Sequence, residues 1–206
     1  MPSPSPSPSS SPPPSPAGSR PLRADARRSI AAILDAGIHV LAVRPDASMA
    51  DIAAAAGVGR VTVYAHFSSR ADLLRAVVAR AITEGDVVLA QVDLSGDPRA
   101  ALERLILASW EQIARIGAVA AAAAGVLEAE EVRRLHAAPA ARVEALLARG
   151  RELGVFREDL PAAWLVSVLH QLMQGAAVEV AAGRLEAAQA APAISASVLA
   201  VWTCAR

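Results

Sequence analysis

Residues 48–74 read SMADIAAAAGVGRVTVYAHFSSRADLL, and this stretch decides the fold. Ser48 precedes an apolar segment, and Asp51 lies three residues after Ser48. A hydroxyl and a carboxylate therefore stand where a capping box begins a helix. Gly57 predicts the end of that helix, because glycine readily adopts the left-handed conformation of a C-terminal cap. The pattern therefore predicts a short helix between Ser48 and Gly57.

Two more helices are predicted after this glycine. The first runs from Arg60 to about His66, beyond a turn of only three residues. The second begins at Ser69, which again has an acid, Asp72, three residues later. Two short helices joined by a glycine-containing turn are typical of a helix-turn-helix motif, and the sequence therefore predicts one here.

A longer helix precedes the motif and begins near residue 23. Its apolar residues repeat with the spacing of one helix face: Ile30, Ile33, Leu34, Gly37 and Leu41. Pro45 ends it, because proline excludes the helical conformation from the residue before it. The front of the chain is thus predicted to be a three-helix domain that contains the helix-turn-helix motif.

The second helix of such a motif lies in the major groove of DNA, with its N-terminal residues facing the base edges. Val63 and Phe67, four residues apart, are predicted to face the protein core. The opposite side of the same helix is then exposed to DNA. It carries Arg60, Val61, Thr62, Tyr64, Ala65 and His66.

The residue types on this side suit different parts of a DNA duplex. Arg60 is suited to donate two hydrogen bonds to guanine or to contact phosphate, and the Thr62 methyl to touch thymine. Tyr64 and His66 suit phosphate oxygens, which fix register without reading sequence. Arg70 combines a cation with the free backbone N–H groups of a helix start, so we expect it to bind phosphate.

The distribution of charge separates the front of the chain from the back. Residues 20–84 carry nine arginines against six acidic residues, a net charge of +3, and residues 85–206 carry eleven against fourteen, a net charge of −3. A basic front suits a polyanion, although the formal net charge of the whole chain is zero. A composition that is 54% hydrophobic but only 3% aromatic favours an all-α fold with an aliphatic core.

The ends of the chain carry other signals. Residues 1–19 are almost entirely proline and serine, so we expect a disordered tail rather than a signal peptide. The single cysteine, Cys204, fits a reducing compartment, and no apolar run marks a membrane span. We expect a cytoplasmic protein without a membrane partner, divided into the tail, a DNA-binding domain over 20–84 and a helical domain over 85–206.

The back of the chain predicts four or five further helices. They include segments over about 98–117, 140–154, 161–183 and 192–204, with an acidic patch at Glu128, Glu130 and Glu131 before the second of these. In the last two helices the apolar residues cover a broader arc than one core face requires. That arc is interpreted either as a surface for a second copy or as internal core.

The motif residues also carry a family resemblance. Thr62, Tyr64, His66 and Phe67, with the Ser-Arg pair that ends at Arg70, resemble the N-terminal domain of TetR-family regulators over about residues 23–84. The resemblance implies that the operator is contacted by Ser48, Arg60, Val61, Thr62, Tyr64, His66 and Arg70.

Two positions depart from the family pattern. Gly59 stands where serine or threonine often caps the recognition helix, and a glycine cap costs only about a few tenths of a kcal/mol relative to serine. Ala50 stands where some members carry arginine, which removes one base contact. Base reading is therefore expected to depend heavily on Arg60 and Thr62.

The resemblance further implies a homodimer, in which the last two helices pair with their copies in a four-helix bundle, and a small-molecule pocket in the back domain. A dimer also fits two DNA half-sites about 34–36 Å apart. The candidate effector-binding residues are Trp110, His170, Met173 and Gln174. His170 and Gln174 share a helix face because they lie four residues apart, although a lone histidine on an apolar helix is more often a core residue.

The leading hypothesis is a dimeric repressor that binds a pseudo-palindromic operator in double-stranded DNA and is released by a small-molecule effector. The alternative is a helical ligand-binding or scaffolding dimer without useful DNA affinity, which the zero net charge and Ala50 favour slightly. An enzyme, a cofactor or a metal is not expected, because the sequence has no metal-ligand spacing, phosphate loop or catalytic triad. The glutamates of the acidic patch are interpreted as a solvated helix face.

Overall fold

The computed structural model describes residues 19–123 and 125–203, and within them the chain forms helices and turns without strands. The head consists of α1 (Ser19–Val43), α2 (Met49–Ala55), α3 (Arg60–His66) and α4 (Arg70–Leu89). The body consists of α5 (Pro98–Ala122), α6 (Ala129–Leu135), α7 (Ala137–Glu152), α8 (Ala162–Ala181) and α9 (Ala187–Trp202). The predicted all-α class is therefore confirmed. The disordered tail, apart from Ser19, and Cys204 lie outside the described residues.

The head packs around one apolar core. Its fully buried side chains are Ile33, Leu41, Ile52, Val63, Leu73 and Val77. The helices α1 and α4 approach closely at Gly37, where a Cβ atom would lie only 2.6 Å from a methyl of Val77. Val119 in the last turn of α5 and Ala123 just after this helix close the core. The head thus shares its core with the first helix of the body.

The body packs around a second apolar core. Its fully buried side chains include Leu102, Ile106, Leu147, Leu165, Val198 and Trp202. The Trp202 indole N–H donates to the Leu165 carbonyl at 3.3 Å, and the ring meets Phe156 edge to face at 5.4 Å. Gly150 leaves room for Phe156, because a Cβ there would lie 2.0 Å from its ring. Aromatic packing therefore joins α9 to the segment after α7.

The helix α4 takes part in both cores. Leu73 and Val77 belong to the head core, whereas Leu89 at its end packs in the body core. The predicted boundary at residue 84 falls inside this helix, and the division into two domains there stays a prediction. In the described part of the chain, no helix is both long enough and apolar enough to cross a membrane.

The two largest differences from the predicted helix boundaries are at the end of α5 and at the start of the last helix. The helix α5 continues to Ala122, five residues beyond the predicted end, because its extra turns are buried by the head. The last helix begins at Ala187, not near Pro192, which lies inside it. The preceding alanines favour helix strongly, and Ala190 and Ala191 are buried, so packing outweighs the lost backbone hydrogen bond at the proline.

Candidate DNA-binding surface

The hydroxyl of Ser48 fixes the start of α2. Ser48 Oγ accepts a hydrogen bond from the Asp51 N–H at 3.2 Å, while the Asp51 carboxylate accepts from the Ser48 N–H at 2.8 Å and from Oγ at 2.6 Å. This is the capping box that the sequence predicts. The Ser48 hydrogen bonds lower the pKa of Asp51, with smaller contributions from the charges of Arg44 and Arg60. Ser48 stays exposed beside this rigid first turn.

The turn between α2 and α3 depends on a left-handed glycine. Gly57 has a φ angle of +67°, as its position after the predicted helix requires. The Val58 N–H then donates to the Ala53 carbonyl at 3.0 Å, which closes the end of α2. Gly59 precedes α3 in an extended conformation and supplies no side-chain cap. The chain therefore enters α3 directly after α2 ends.

The helix α3 has one buried side and one exposed side. Val63 is fully buried and Phe67, just after the helix, is 8% exposed, so both face the head core as predicted. On the opposite side Val61 is 83% exposed and Tyr64 55% exposed. The Arg60 side chain is exposed as well, while Thr62 and His66 are half-buried. The predicted DNA-contacting residues of α3 thus share the outer part of one short helix.

The start of α4 is capped by serines and lies beside the α1–α2 turn. Ser69 Oγ accepts from the Asp72 N–H at 3.1 Å, and both Ser68 and Ser69 donate to the Asp72 carboxylate. These hydroxyl donors, Ser68 first, lower the pKa of Asp72. Arg70 Nη2 donates to the Pro45 carbonyl at 3.1 Å, which ties α4 to the turn before Ser48. One of its five N–H donors is thereby engaged, and its role at phosphate stays a prediction.

Arg44 is a candidate that the sequence analysis missed. It is exposed and lies 3.7 Å from the Asp51 carboxylate, and the charge of Arg60 acts on the same carboxylate. The signal in the sequence is an arginine directly before Pro45. That position by itself indicates only the end of a helix. Arg44 therefore extends the basic surface from α3 to the end of α1.

The four predicted effector-binding residues lie in different surroundings. Trp110 and Met173 are buried in the body core, and the Trp110 indole N–H donates to the Ala187 carbonyl at 3.1 Å. Gln174 is exposed, and His170 is half-buried. The His170 ring meets His136 edge to face at 5.6 Å, a contact between two histidines that the sequence placed far apart. Burial and the nearby His136 lower the pKa of His170.

Two open clefts lie elsewhere on the body. One, of about 210 Å³, lies between α8 and α9 and is lined by Gln171, Leu172, Gly175, Ala176, Ala193, Ile194 and Ser197. The other, of about 200 Å³, lies between α7 and the loop before α5. None of the four predicted effector-binding residues lines either cleft. Their role with an effector stays a prediction.

Comparison with known proteins places this head in a family. The family model described as "Bacterial regulatory proteins, tetR family" matches residues 33–77, which include α2 and α3. The HTH-type transcriptional repressor LfrR of Mycolicibacterium smegmatis is 45% identical over 80 residues, which are 38% of this chain and 42% of that repressor. This sequence match therefore spans less than half of the curated relative.

Solved structures extend the similarity to the body. The crystal structure of the TetR-like regulator LfrR from Mycobacterium smegmatis in complex with proflavine is 31% identical, covers 87% of this chain and 98% of that chain, and has a TM-score of 0.65. The fatty acid degradation regulator FadR from Bacillus halodurans, at 20% identity, shares the fold with a TM-score of 0.69, over 83% of this chain and 94% of its own. The resemblance first seen in residues 48–74 is thereby confirmed over most of the chain. The chain belongs to the TetR family of bacterial transcription regulators.

Proposed function

We propose that this regulator is a cytoplasmic, dimeric repressor that binds a pseudo-palindromic operator in double-stranded DNA and is released by a small molecule. The observation that carries the proposal is the exposed side of α3. Val61 and Tyr64 are large apolar or aromatic side chains that stand in solvent, 83% and 55% exposed, beside an exposed Arg60. Such residues suit insertion into a major groove, because they lie on a short helix whose other side is buried in the head core.

Each polar group on this surface has a role in the proposal. Arg60 reads guanine or binds phosphate, and Thr62 contacts a base through its hydroxyl or methyl group. Tyr64, His66 and Arg70 bind phosphates and fix the register of α3. In the proposal Ser48, at the start of α2, contacts a neighbouring phosphate.

The exposed apolar side of α8 and α9 supports the dimer. Trp164 and Val178 on α8 are 57% and 61% exposed, which is costly for large apolar groups in water. The lining of the cleft between α8 and α9 includes the small residues Gly175, Ala176, Ala193 and Ser197, which would allow the helices of a second copy to approach closely. Pairing of α8 and α9 with their copies would present two α3 helices to successive half-sites about 34–36 Å apart.

An effector would act on α4, which joins head and body. Arg142 on α7 bonds Asp86 on α4 at 2.8 Å, and Arg75 on α4 lies 3.7 Å from Glu131 on α6. Proflavine is bound in the related LfrR structure, which supports a small-molecule effector for this chain too. A ligand that moves α6 or α7 would shift these ion pairs and change the position of the head.

A binding measurement tests the proposal. Full-length protein is titrated into a labelled duplex from the intergenic region beside its own gene, and binding is followed by fluorescence anisotropy and footprinting. Arg60→Ala and Tyr64→Ala are each expected to weaken binding roughly tenfold to hundredfold, since a bidentate base contact or a hydrogen bond to a charged phosphate contributes about 1–3 kcal/mol. Affinity should also fall steeply as salt rises, because phosphate contacts release counterions.

The control is Arg134→Ala, which removes the same charge from an exposed position on α6, far from α3 in sequence. This variant should bind like the wild type, and all three variants should keep the wild-type unfolding midpoint. If the wild type binds and both Arg60→Ala and Tyr64→Ala bind equally well, the proposed role of α3 is wrong. No specific binding by the wild type would instead favour the scaffolding dimer.

A further inference from the structure

Arg149 on α7 has an unusual environment. Its Nη2 atom is buried and, among the described residues, has no hydrogen-bond partner. A buried N–H of a charged group that lacks a partner costs more free energy than a neutral one. Such an atom calls for an explanation, and a bound ligand that accepts its hydrogen bond is one.

The cleft around Arg149 combines two arginines with apolar walls. It is lined by Arg142, Arg149, Leu94, Ala145 and Leu146 and has a volume of about 200 Å³. The two arginines lie seven residues apart on α7, so they project from the same side of the helix. The other three lining residues are aliphatic. The cleft therefore suits a molecule with one charged group and a short apolar part.

Two acidic residues lie near the arginines of this cleft. Arg142 donates to the Asp86 carboxylate at 2.8 Å, and the pKa of Asp93 is lowered first by its hydrogen bonds with Ser95 and then by the charges of Arg104 and Arg149. Arg104 adds a third guanidinium, because its side chain donates to the Asp93 backbone carbonyl at 2.8 Å. Three guanidinium groups and two carboxylates therefore lie in this part of the body. Arg142 already has a carboxylate partner, whereas Arg149 Nη2 has no hydrogen-bond partner among the described residues.

We propose that this cleft binds a small carboxylic acid, as its anion, with a short aliphatic tail. Guanidinium groups match the planar carboxylate with two parallel hydrogen bonds, and Arg142 already bonds one carboxylate, that of Asp86, through Nη1. The carboxylate accepts from Arg149 Nη2, and the tail lies against Leu94, Ala145 and Leu146. This site is separate from α3, so its occupancy does not depend on the proposed binding of DNA.

Isothermal titration calorimetry of the full-length protein at neutral pH and constant ionic strength tests this inference, with sodium hexanoate as the probe. Saturable binding is expected for the wild type. Arg149→Gln should weaken it roughly tenfold to hundredfold, the range expected for a hydrogen bond to a charged group. Arg149→Lys keeps the charge but loses the planar fork, so it should bind more weakly than the wild type while keeping the same unfolding midpoint.

The matched control is Arg134→Gln, which removes the same charge from an exposed position and should leave hexanoate binding unchanged. Two further probes separate charge from tail. Hexanol carries the tail without the carboxylate and sodium sulfate carries charge without a tail, and both should bind at least about tenfold more weakly. No saturable binding of hexanoate, equal binding by Arg149→Gln and wild type, or equal binding of sulfate and hexanoate would each overturn the proposal.

Discussion

The head and the body start their helices in different ways. In the head, Ser48 and Ser69 each place a hydroxyl on the backbone N–H of an aspartate three residues later. In the body, the helices α6, α7, α8 and α9 begin without a side-chain cap. The starts of α2 and α4, on either side of α3, are therefore fixed by side chains close in sequence. The start of α3 has no side-chain cap, and in the body α5 does have one, because the Arg99 N–H donates to Asp97 Oδ1 at 3.3 Å.

In the body, long arginine side chains hold the loops that precede two of the helices. Arg104 donates to the carbonyls of Asp93 and Ser95 in the loop before α5, at 2.8 and 2.9 Å. Arg151 donates to the carbonyls of Arg157 and Leu160 in the loop before α8, at 2.9 and 2.7 Å. These bonds join residues from six to eleven positions apart and form only once the loops are folded. Loop structure in the body therefore depends on tertiary packing.

The difference indicates how each region tolerates change. A recognition helix must keep its position to within a small distance, and the capped helices on either side of α3, together with the core beneath it, provide that. A body that responds to a ligand needs segments whose arrangement shifts at modest cost in free energy. Three measurements compare the two regions directly.

The largest effect is expected from the two cores, where head and body should behave alike. Leu41 in the head and Leu102 in the body are both fully buried, so Leu41→Ala and Leu102→Ala should each lower the free energy of unfolding by about 2–5 kcal/mol. Urea unfolding followed by circular dichroism measures this. Leu107→Ala, on the same helix as Leu102 but 52% exposed, is the control and should change it by no more than about 0.5 kcal/mol. A cost below about 1 kcal/mol for one buried leucine alone would show that the two cores are unequally packed.

A smaller effect is expected at the turn of the head. Gly57→Ala forces a side chain into the left-handed conformation at φ +67°, although no atom lies within 4 Å of the new Cβ. It should therefore destabilise the fold through the backbone alone, by about 1–2 kcal/mol. Gly59→Ser, two residues later at φ −70°, should instead stabilise it by about a few tenths of a kcal/mol by capping α3. Thermal unfolding measures both, and equal signs would contradict the assigned backbone roles.

The smallest effect is the loss of stability at low pH. As the pH falls, the body should begin to lose stability before the head does. The pKa of His170 is lowered from 6.5 by burial and by His136, so its contribution to stability is present above pH 6.5 and is lost as the pH falls through the lowered pKa. The pKa values of Asp51 and Asp72 are lowered from 3.8 by serine hydrogen bonds, so their contributions are lost only as the pH falls below 3.8.

Urea unfolding over a series of pH values separates the two regions. His170→Gln should flatten the loss of stability just below pH 6.5, and Asp51→Asn with Asp72→Asn should flatten the loss below pH 3.8. Gln and Asn are chosen because they keep size and polarity but do not titrate. If His170→Gln changed the free energy of unfolding only below pH 3.8, it would be wrong to assign the loss of stability just below pH 6.5 to the body.

The sequence predicted the head in detail because its signals are local. The capping box of Ser48, the left-handed Gly57 and the stop at Pro45 each act over a few residues, and the structure has all three as expected. The burial of Val63 and Phe67 followed from their spacing on one helix. The exposed residues of α3 were assigned by elimination from that spacing, so the outline of the candidate surface was predictable.

The body was predicted only in outline because its decisive contacts join distant residues. Nothing local indicates that His136 meets His170, or that Arg142 bonds Asp86. Pro192 was misleading, since a local rule placed a helix start where buried alanines carry the helix past it. Composition and apolar spacing identify helices in such a region, but the pairing of their faces requires the folded chain.

The closure of the head core by α5 has a practical consequence for protein engineering. Chimeric regulators are made by grafting one protein's DNA-reading segment onto another's sensing segment. A graft cut at residue 84 would remove Val119 and Ala123 and leave the apolar underside of the first four helices facing water. A workable junction would carry the final turns of α5 along with the transplanted segment, or supply equivalent small aliphatic side chains from the recipient.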